Sequence, residues 1–326
     1  MAQVRDLGRH ENDRLRAALA KIAEIASSAA NEDLEDEENG NDSEAQTGSD
    51  QEARGCVIKQ IPARLLVRAA ETARKINPAN APVFGPMAAV SGEFHVTDPM
   101  RIAVLTSKYW GPTARKLTVS FMEHTSSSLK TRIISHMNAW GTTAGISFVV
   151  TNGTGNVRIS RRPGGYWSYL GTDILLIPKN RPTMNLAGFS MSTPESEYRR
   201  VVRHETGHTL GFPHEHMRKD LVARIDPEKA YKWFWETYGW DKATVDAQVL
   251  TSLDENSLMA TPVDQTSIMC YQLPGTITVD GNPITGGADI NQTDYAFAGK
   301  IYPRLGSTRA MREEDWEESE DVDVAV

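Results

Sequence analysis

Apolar positions change their period several times along the middle of the chain. Alternation in "KLTVSFM" (116–122), "GISFVV" (145–150) and "NVRIS" (156–160) predicts strands. "RIAVLT" (101–106) reads as a further strand, "DILLIP" (173–178) is an apolar run of strand size, and "TMNLAGF" (183–189) is a short strand-like segment. Between them, "SSSLKTRIISHMNAW" (126–140) carries apolar residues at helical spacing behind a serine cap. Upstream, "PARLLVRAAETARKI" (62–76) is a second helical pattern with Pro62 at its start, and residues 1–31 form a third, with Leu15, Leu19, Ile22 and Ala26 among basic residues. A charge-rich helix precedes a long irregular C-terminal stretch, whose last ordered feature is the helix "NQTDYAFAGKIY" (291–302), stopped by Pro303. Strands alternating with helices, then irregular chain, predict an α/β upper lobe over a loop-built lower lobe.

At 326 residues and 40% hydrophobic, the chain can bury a substantial core. No apolar run approaches the roughly 18–20 residues that span a bilayer, and the N-terminal pattern lacks the unbroken apolar segment of a signal peptide. Two cysteines, Cys56 and Cys270, cannot build a disulfide framework. The net charge of −8 conceals an uneven distribution: the runs at 32–50 and 313–323 hold 17 of the 43 acids and no Lys or Arg. The remainder sets 26 acids against 35 bases. That basic body has no aromatic–basic alternation and no nucleic-acid motif, so nucleic acid is not an expected partner. The acidic runs read as solubilising linkers.

Chemistry concentrates in "RHETGHTLGFPHEHMR" (203–218), which holds four of the eight histidines. His204 and His208 lie four apart, about 40° around a helix axis, so both imidazoles can face one ion. Glu205 stands beside them, where a carboxylate can act as general base on water at a zinc site. A catalytic zinc has three protein ligands and an open position. Gly211 can end the helix in a left-handed turn and Pro213 cannot continue it, which returns His214 toward the same ion. The pattern HExxHxxGxxH thus nominates His204, His208 and His214 as ligands of one catalytic Zn2+; its chance expectation is on the order of 10⁻⁵ per chain of this composition. His216 fits no ligand spacing and reads as a surface or supporting histidine.

The arrangement resembles the metzincin clan of zinc peptidases, which couples this motif to a methionine turn; "TSIMCYQ" places Met269 55 residues after His214. "GFPHE" and the turn Ser-Ile-Met-x-Tyr are similar to the astacin family in particular. The resemblance covers about 96–304, including "INQTDYAFAGKIYP". It implies a metzincin-type α/β (α+β) fold with a twisted mixed sheet and helices in the upper lobe. The zinc helix would lie at the cleft, and the irregular lower lobe would carry a C-terminal helix. It also implies endopeptidase activity on peptide or protein substrates, with Glu205 and Tyr271 catalytic, Tyr271 a zinc ligand at rest and a transition-state donor in turnover. Met269 would floor the site, Glu215 would pair with a matured N-terminus, and secretion would follow by resemblance alone. The expected organisation is an N-terminal helix and acidic linker (1–54), a helical pro-segment-like region (55–95), a peptidase domain (96–306) and an acidic tail (307–326).

The chain departs from the family in lacking four domain cysteines and the pro-segment Phe-x-Gly-Asp, and in placing Cys270 where histidine is common. Cys56 has two readings: a thiolate that fills the open zinc position, or an incidental buried thiol. Glu215 has a second reading as a carboxylate that orients the histidines. The aromatic stretch "YKWFWETYGW" (231–240) either shapes a substrate pocket or packs the lower lobe, and 183–189 is the candidate edge strand for substrate. Two other functions use the same metal: a non-catalytic zinc-containing peptide-binding module, which has no need of Glu205, and an amidohydrolase of small substrates.

Overall fold

The computed structural model describes residues 56–81, 106–252 and 262–304. The expected helix at 1–31, the acidic runs, the tail at 307–326 and all but the last residue of the strand at 101–106 lie outside the described residues.

Six strands form one mixed sheet. They are β1 (Cys56–Lys59), β2 (Arg115–Phe121), β3 (Ile146–Val150), β4 (Val157–Ser160), β5 (Tyr166–Tyr169) and β6 (Met184–Leu186), in the order β1-β5-β6-β4-β2-β3. All neighbours are parallel except β5 and β6. The alternation read in β2 points Leu117 and Val119 inward, while central β4 is buried along its whole length. Helix α1 (Leu66–Ile76) follows β1, and α2 (Ser127–Met137) is capped by Ser126, whose Oγ accepts from the Leu129 amide. Ile133, Met137 and Trp140 then join Phe148, Ile159, Val202 and Phe189 in the larger core.

A second core gathers around α4 (Pro227–Tyr238), with Phe234, Val245, Val249, Leu273 and Ile284. Helix α5 (Gln292–Ile301) starts in a capping box made by Asn291 and Asp294, and its Ala298 and Ile301 pack on the first core. Helix α3 (Arg203–Thr209) runs on from a π turn, Tyr198–Val202, and packs against β5 and α2.

Two strand expectations are corrected. "DILLIP" is a 3-10 turn from Gly171 to Leu176, with Ile174 buried and Leu175 exposed. Gly171 has φ +47°, and a Cβ there would meet the Lys108 carbonyl at 1.9 Å, so the chain bends where a strand would need extension. Arg158 fixes the bend: this 4%-exposed guanidinium donates to the carbonyls of Gly155, Asn156, Ile177, Pro178 and Arg181 at 2.7–3.4 Å. Segment 183–189 contributes β6, but β6 is buried between β4 and β5 and is no edge. The edge strand of that side is β1, paired to β5 from Cys56↔Tyr166 to Lys59↔Tyr169, and neither β1 nor β5 has a clear period in the sequence.

Arg158→Leu leaves five carbonyl contacts without their donor, so it is expected to destabilise the fold by about 2–4 kcal/mol, read as a lower urea midpoint at unchanged slope.

Candidate metal centre

Helix α3 presents His204, Glu205 and His208 from within the protein, all buried. Its position is set at several points along its length by groups distant in sequence. The Trp140 indole donates to the Arg203 carbonyl at 2.8 Å, the Trp110 indole donates to the Thr209 carbonyl at 2.8 Å, and the Tyr302 hydroxyl donates to the Leu210 carbonyl. The helix ends as the sequence requires. Gly211 has φ +94°, its amide bonds the His208 carbonyl at 2.8 Å, and the Phe212 amide reaches back to Gly207 at 2.9 Å, a Schellman closure. The reversal delivers His214 to the face of α3, where its ring centroid lies 4.6 Å from that of His208 and 5.3 Å from that of His204.

Hydrogen bonding fixes the tautomers. His204 Nδ1 lies 2.6 Å from the Ile268 carbonyl and His208 Nδ1 lies 2.8 Å from the Phe212 carbonyl. A carbonyl only accepts, so both Nδ1 atoms carry the proton and both Nε2 atoms are bare. His208 Nε2 faces His214 Nε2 at 3.0 Å, and His204 Nε2 has no partner among the described residues. Burial pushes His204 down to about 4 and holds His208 and His214 well below the ordinary imidazole range, so the rings stay neutral at pH 7. Two bare imidazole nitrogens, with His214 Nε2 converging on them, are what a cation requires.

Cys56 of β1 completes the group: its Sγ and one nitrogen from each of the three histidines lie within 4.8 Å of one another. A tetrahedral zinc with nitrogen at about 2.0–2.1 Å and sulfur at about 2.3 Å needs donors roughly 3.3–3.6 Å apart, a spacing bracketed by the 3.0 Å between His208 Nε2 and His214 Nε2 and the 4.8 Å limit of the set. The Cys56 thiol donates to Glu205 Oε1, and Glu205 Oε2 is buried without a partner among the described residues. Burial raises the thiol well above its usual range, with Glu205 adding to the effect, and pushes the Glu205 carboxyl up to about 8.

Met269 lies under α3. A Cβ on Gly207 would meet its sulfur at 2.3 Å, so that glycine allows the close approach. The methionine turn is tied to α5, since Asp294 accepts from Ser267 Oγ at 2.6 Å and from the Ile268 amide at 2.9 Å. Tyr271, next along, has a buried hydroxyl without a partner among the described residues, and its ring centroid lies 4.3 Å from that of His214. His216 is not at the surface. It is wholly buried, stacks on Tyr271 at 4.2 Å, and donates from Nε2 to the Gln248 carbonyl at 2.9 Å. Glu215 accepts from the Asp264 amide at 3.1 Å, and burial raises its carboxyl to about 7.

Residues 104–280, more than half of the chain, match the Astacin peptidase family. The chain belongs to the astacin family. It is therefore a metalloendopeptidase of a zinc-dependent family. Among solved structures, one of myroilysin is 30% identical over 60% of this chain and 96% of that chain, with a TM-score of 0.57. High choriolytic enzyme 1, a hatching enzyme zinc-protease from the medaka fish Oryzias latipes, is 21% identical over 58% of this chain and 90% of that one, with a TM-score of 0.40. No curated protein matches. Among the described residues, no helix is long and apolar enough to cross a membrane.

The astacin cleft is about 900 Å³ in volume, and Tyr166, Arg200, Glu205, Trp233, Tyr238 and Tyr271 are among its lining residues. The aromatic stretch thus serves both roles considered for it: Phe234 is core, while Trp233, Tyr238 and Trp240 pack against that core and also line the cleft. Sequence reasoning missed β5 and missed Gln248, whose side chain bonds both backbone polar groups of Ile58. No local signal marks either.

Gly211→Ala forces a Cβ into positive φ with the Lys108 carbonyl 3.0 Å away. It is expected to cost about 1–3 kcal/mol in thermal unfolding and to weaken zinc retention against a chromogenic chelator, because the turn that returns His214 is strained.

Proposed function

We propose that the chain is a latent zinc endopeptidase in which His204, His208 and His214 hold the ion and Cys56 fills the position that substrate chemistry needs. The observation that carries this reading is the convergence of the Cys56 sulfur with the three imidazole nitrogens. A zinc ion so held supplies Lewis-acid polarisation of the scissile carbonyl and acidifies water toward a pKa of about 7.

Glu205 accepts the proton of the attacking water and returns it to the departing amine. Its burial keeps bulk water away from the transfer. Tyr271 donates its hydroxyl, which has no partner among the described residues, to the developing oxyanion. The ring is held for that task by stacking on His216 and by the Tyr271 amide, which donates to His216 Nδ1 at 3.4 Å.

Latency acts at three points. With zinc bound, Cys56 as the thiolate would fill the fourth position; without it, the thiol donates to the Glu205 base; and the rest of β1 takes the β5 edge that an extended peptide would use. Residues 55–95 are therefore assigned as the pro-segment of a peptidase domain at 96–306, with 1–54 before it and the acidic 307–326 after it.

The test is cleavage of a peptide library by the zinc-loaded full-length chain, with every cut mapped by mass spectrometry. Glu205→Gln is expected to reduce turnover by at least 10²–10⁴-fold, and Tyr271→Phe by roughly 10²-fold in kcat. Cys56→Ala is expected to raise the activity of the unprocessed chain toward that of the chain after limited proteolysis. Equal activity of parent and Cys56→Ala, both before and after proteolysis, would remove Cys56 from the scheme. Zinc retention with no cleavage by any variant would favour the peptide-binding module.

A further inference from the structure

Gln248 sits at the centre of the π turn Asp246–Leu250 and is 4% exposed. Its side-chain oxygen accepts from the Ile58 amide at 3.1 Å, and its side-chain nitrogen donates to the Ile58 carbonyl at 3.2 Å. In an extended strand, the N–H and C=O of one residue point to the same side, and successive residues alternate. With Ile58 turned to Gln248, Val57 and Lys59 are the residues turned to β5, so β1 is paired along both edges, by a strand on one side and by one amide on the other.

The amide is also rigidly placed. Its own backbone carbonyl takes the His216 proton at 2.9 Å, and His216 stacks on Tyr271 at 4.2 Å. Its neighbour Val249 is buried in the second core. A chain of contacts thus runs from the strand in the cleft through Gln248 and His216 to the proposed oxyanion donor. When β1 leaves, a donor and an acceptor fixed to the peptidase body lose their partners, two residues along β1 from the Cys56 that lines the cleft. An unpaired buried polar group is costly, and a residue of an extended main chain satisfies both, directly when it runs as β1 does and after a flip of the side-chain amide when it runs the other way.

We propose that Gln248 is a substrate-binding residue, which grips the main chain of one residue of the extended peptide opposite the β5 edge, and that β1 holds this grip in the latent protein. This rests on the catalytic reading above, in which peptide replaces β1 in the cleft. The occupant is defined by its backbone, so Gln248 contributes affinity and register without selecting a side chain.

The test uses the full-length, zinc-loaded chain carrying Cys56→Ala, with Gln248 intact or replaced by Gln248→Met, which keeps length but neither polar group. A cleaved peptide is N-methylated one residue at a time, and kcat/KM is compared with that of the parent peptide in the same protein. The ratio cancels any change in competition from β1. With Gln248 intact, methylation at one position outside those facing β5 is expected to cost about 5–10-fold, and under 2-fold in Gln248→Met. Gln248→Glu, which retains only the acceptor, is expected to keep that penalty. It is expected to lose the penalty for exchanging the same residue's carbonyl oxygen for sulfur, a comparison that stands even if Gln248→Met does not fold. Identical penalties in all three proteins overturn the assignment while leaving the peptidase intact. Cleavage of no peptide by any of them strikes the catalytic reading, and the assignment falls with it.

Discussion

Imidazoles converge on one ion most readily when their rings are oriented from behind, and here the backbone supplies that hold for two of the three. The carbonyls of Ile268 and Phe212 take the Nδ1 protons of His204 and His208 and turn the bare Nε2 atoms inward. Ile268 belongs to the methionine turn and Phe212 to the Schellman closure, so two loops must be in place before the helix is useful. Gly211 makes the second loop possible by adopting a conformation that a side chain would oppose. The first depends on Asp294, which accepts from the turn while capping α5, so the start of the C-terminal helix is part of the site's support.

The same logic explains why so many buried polar groups surround α3. Trp110, Trp140 and Tyr302 each give one hydrogen bond to a helix carbonyl while filling the larger core with their rings. Arg158 does similar work under the sheet, where a charge is tolerated because five carbonyls surround it. Helix, sheet and lower lobe therefore meet through fixed directional contacts as well as apolar packing, which suits a centre whose ligand atoms must hold position.

Segment 56–59 is held at each of several points. Cys56 reaches the histidines, Ile58 is held by Gln248, Lys59 lies over the Trp167 ring at 5.0 Å, and the backbone pairs with β5. A segment so bound is a physical record of what the cleft can recognise, because a competing peptide meets the same donors and acceptors.

Much of the site was legible in the sequence because its determinants are local. Helical spacing fixes the relation of His204 to His208, and a glycine with proline two residues on fixes the reversal to His214. A Ser-Ile-Met-x-Tyr turn is distinctive by itself. Capping residues likewise marked α2 and α5, as Ser126 and Asn291 show. The misreadings share a different character. "DILLIP" has the composition of a strand but bends, because Gly171 must pass the Lys108 carbonyl and Arg158 claims carbonyls beyond it. β6 has the right pattern yet lies inside the sheet, and β1 takes the edge. His216 is buried because Tyr271 and Gln248 close over it. The sequence by itself determined which residues could bind a metal and how the nearest of them turn. Only the tertiary structure decided which strand borders the cleft, where Cys56 points and what Gln248 holds, because those outcomes depend on contacts between residues 32 to 190 positions apart, for which the chain carries no local period or cap.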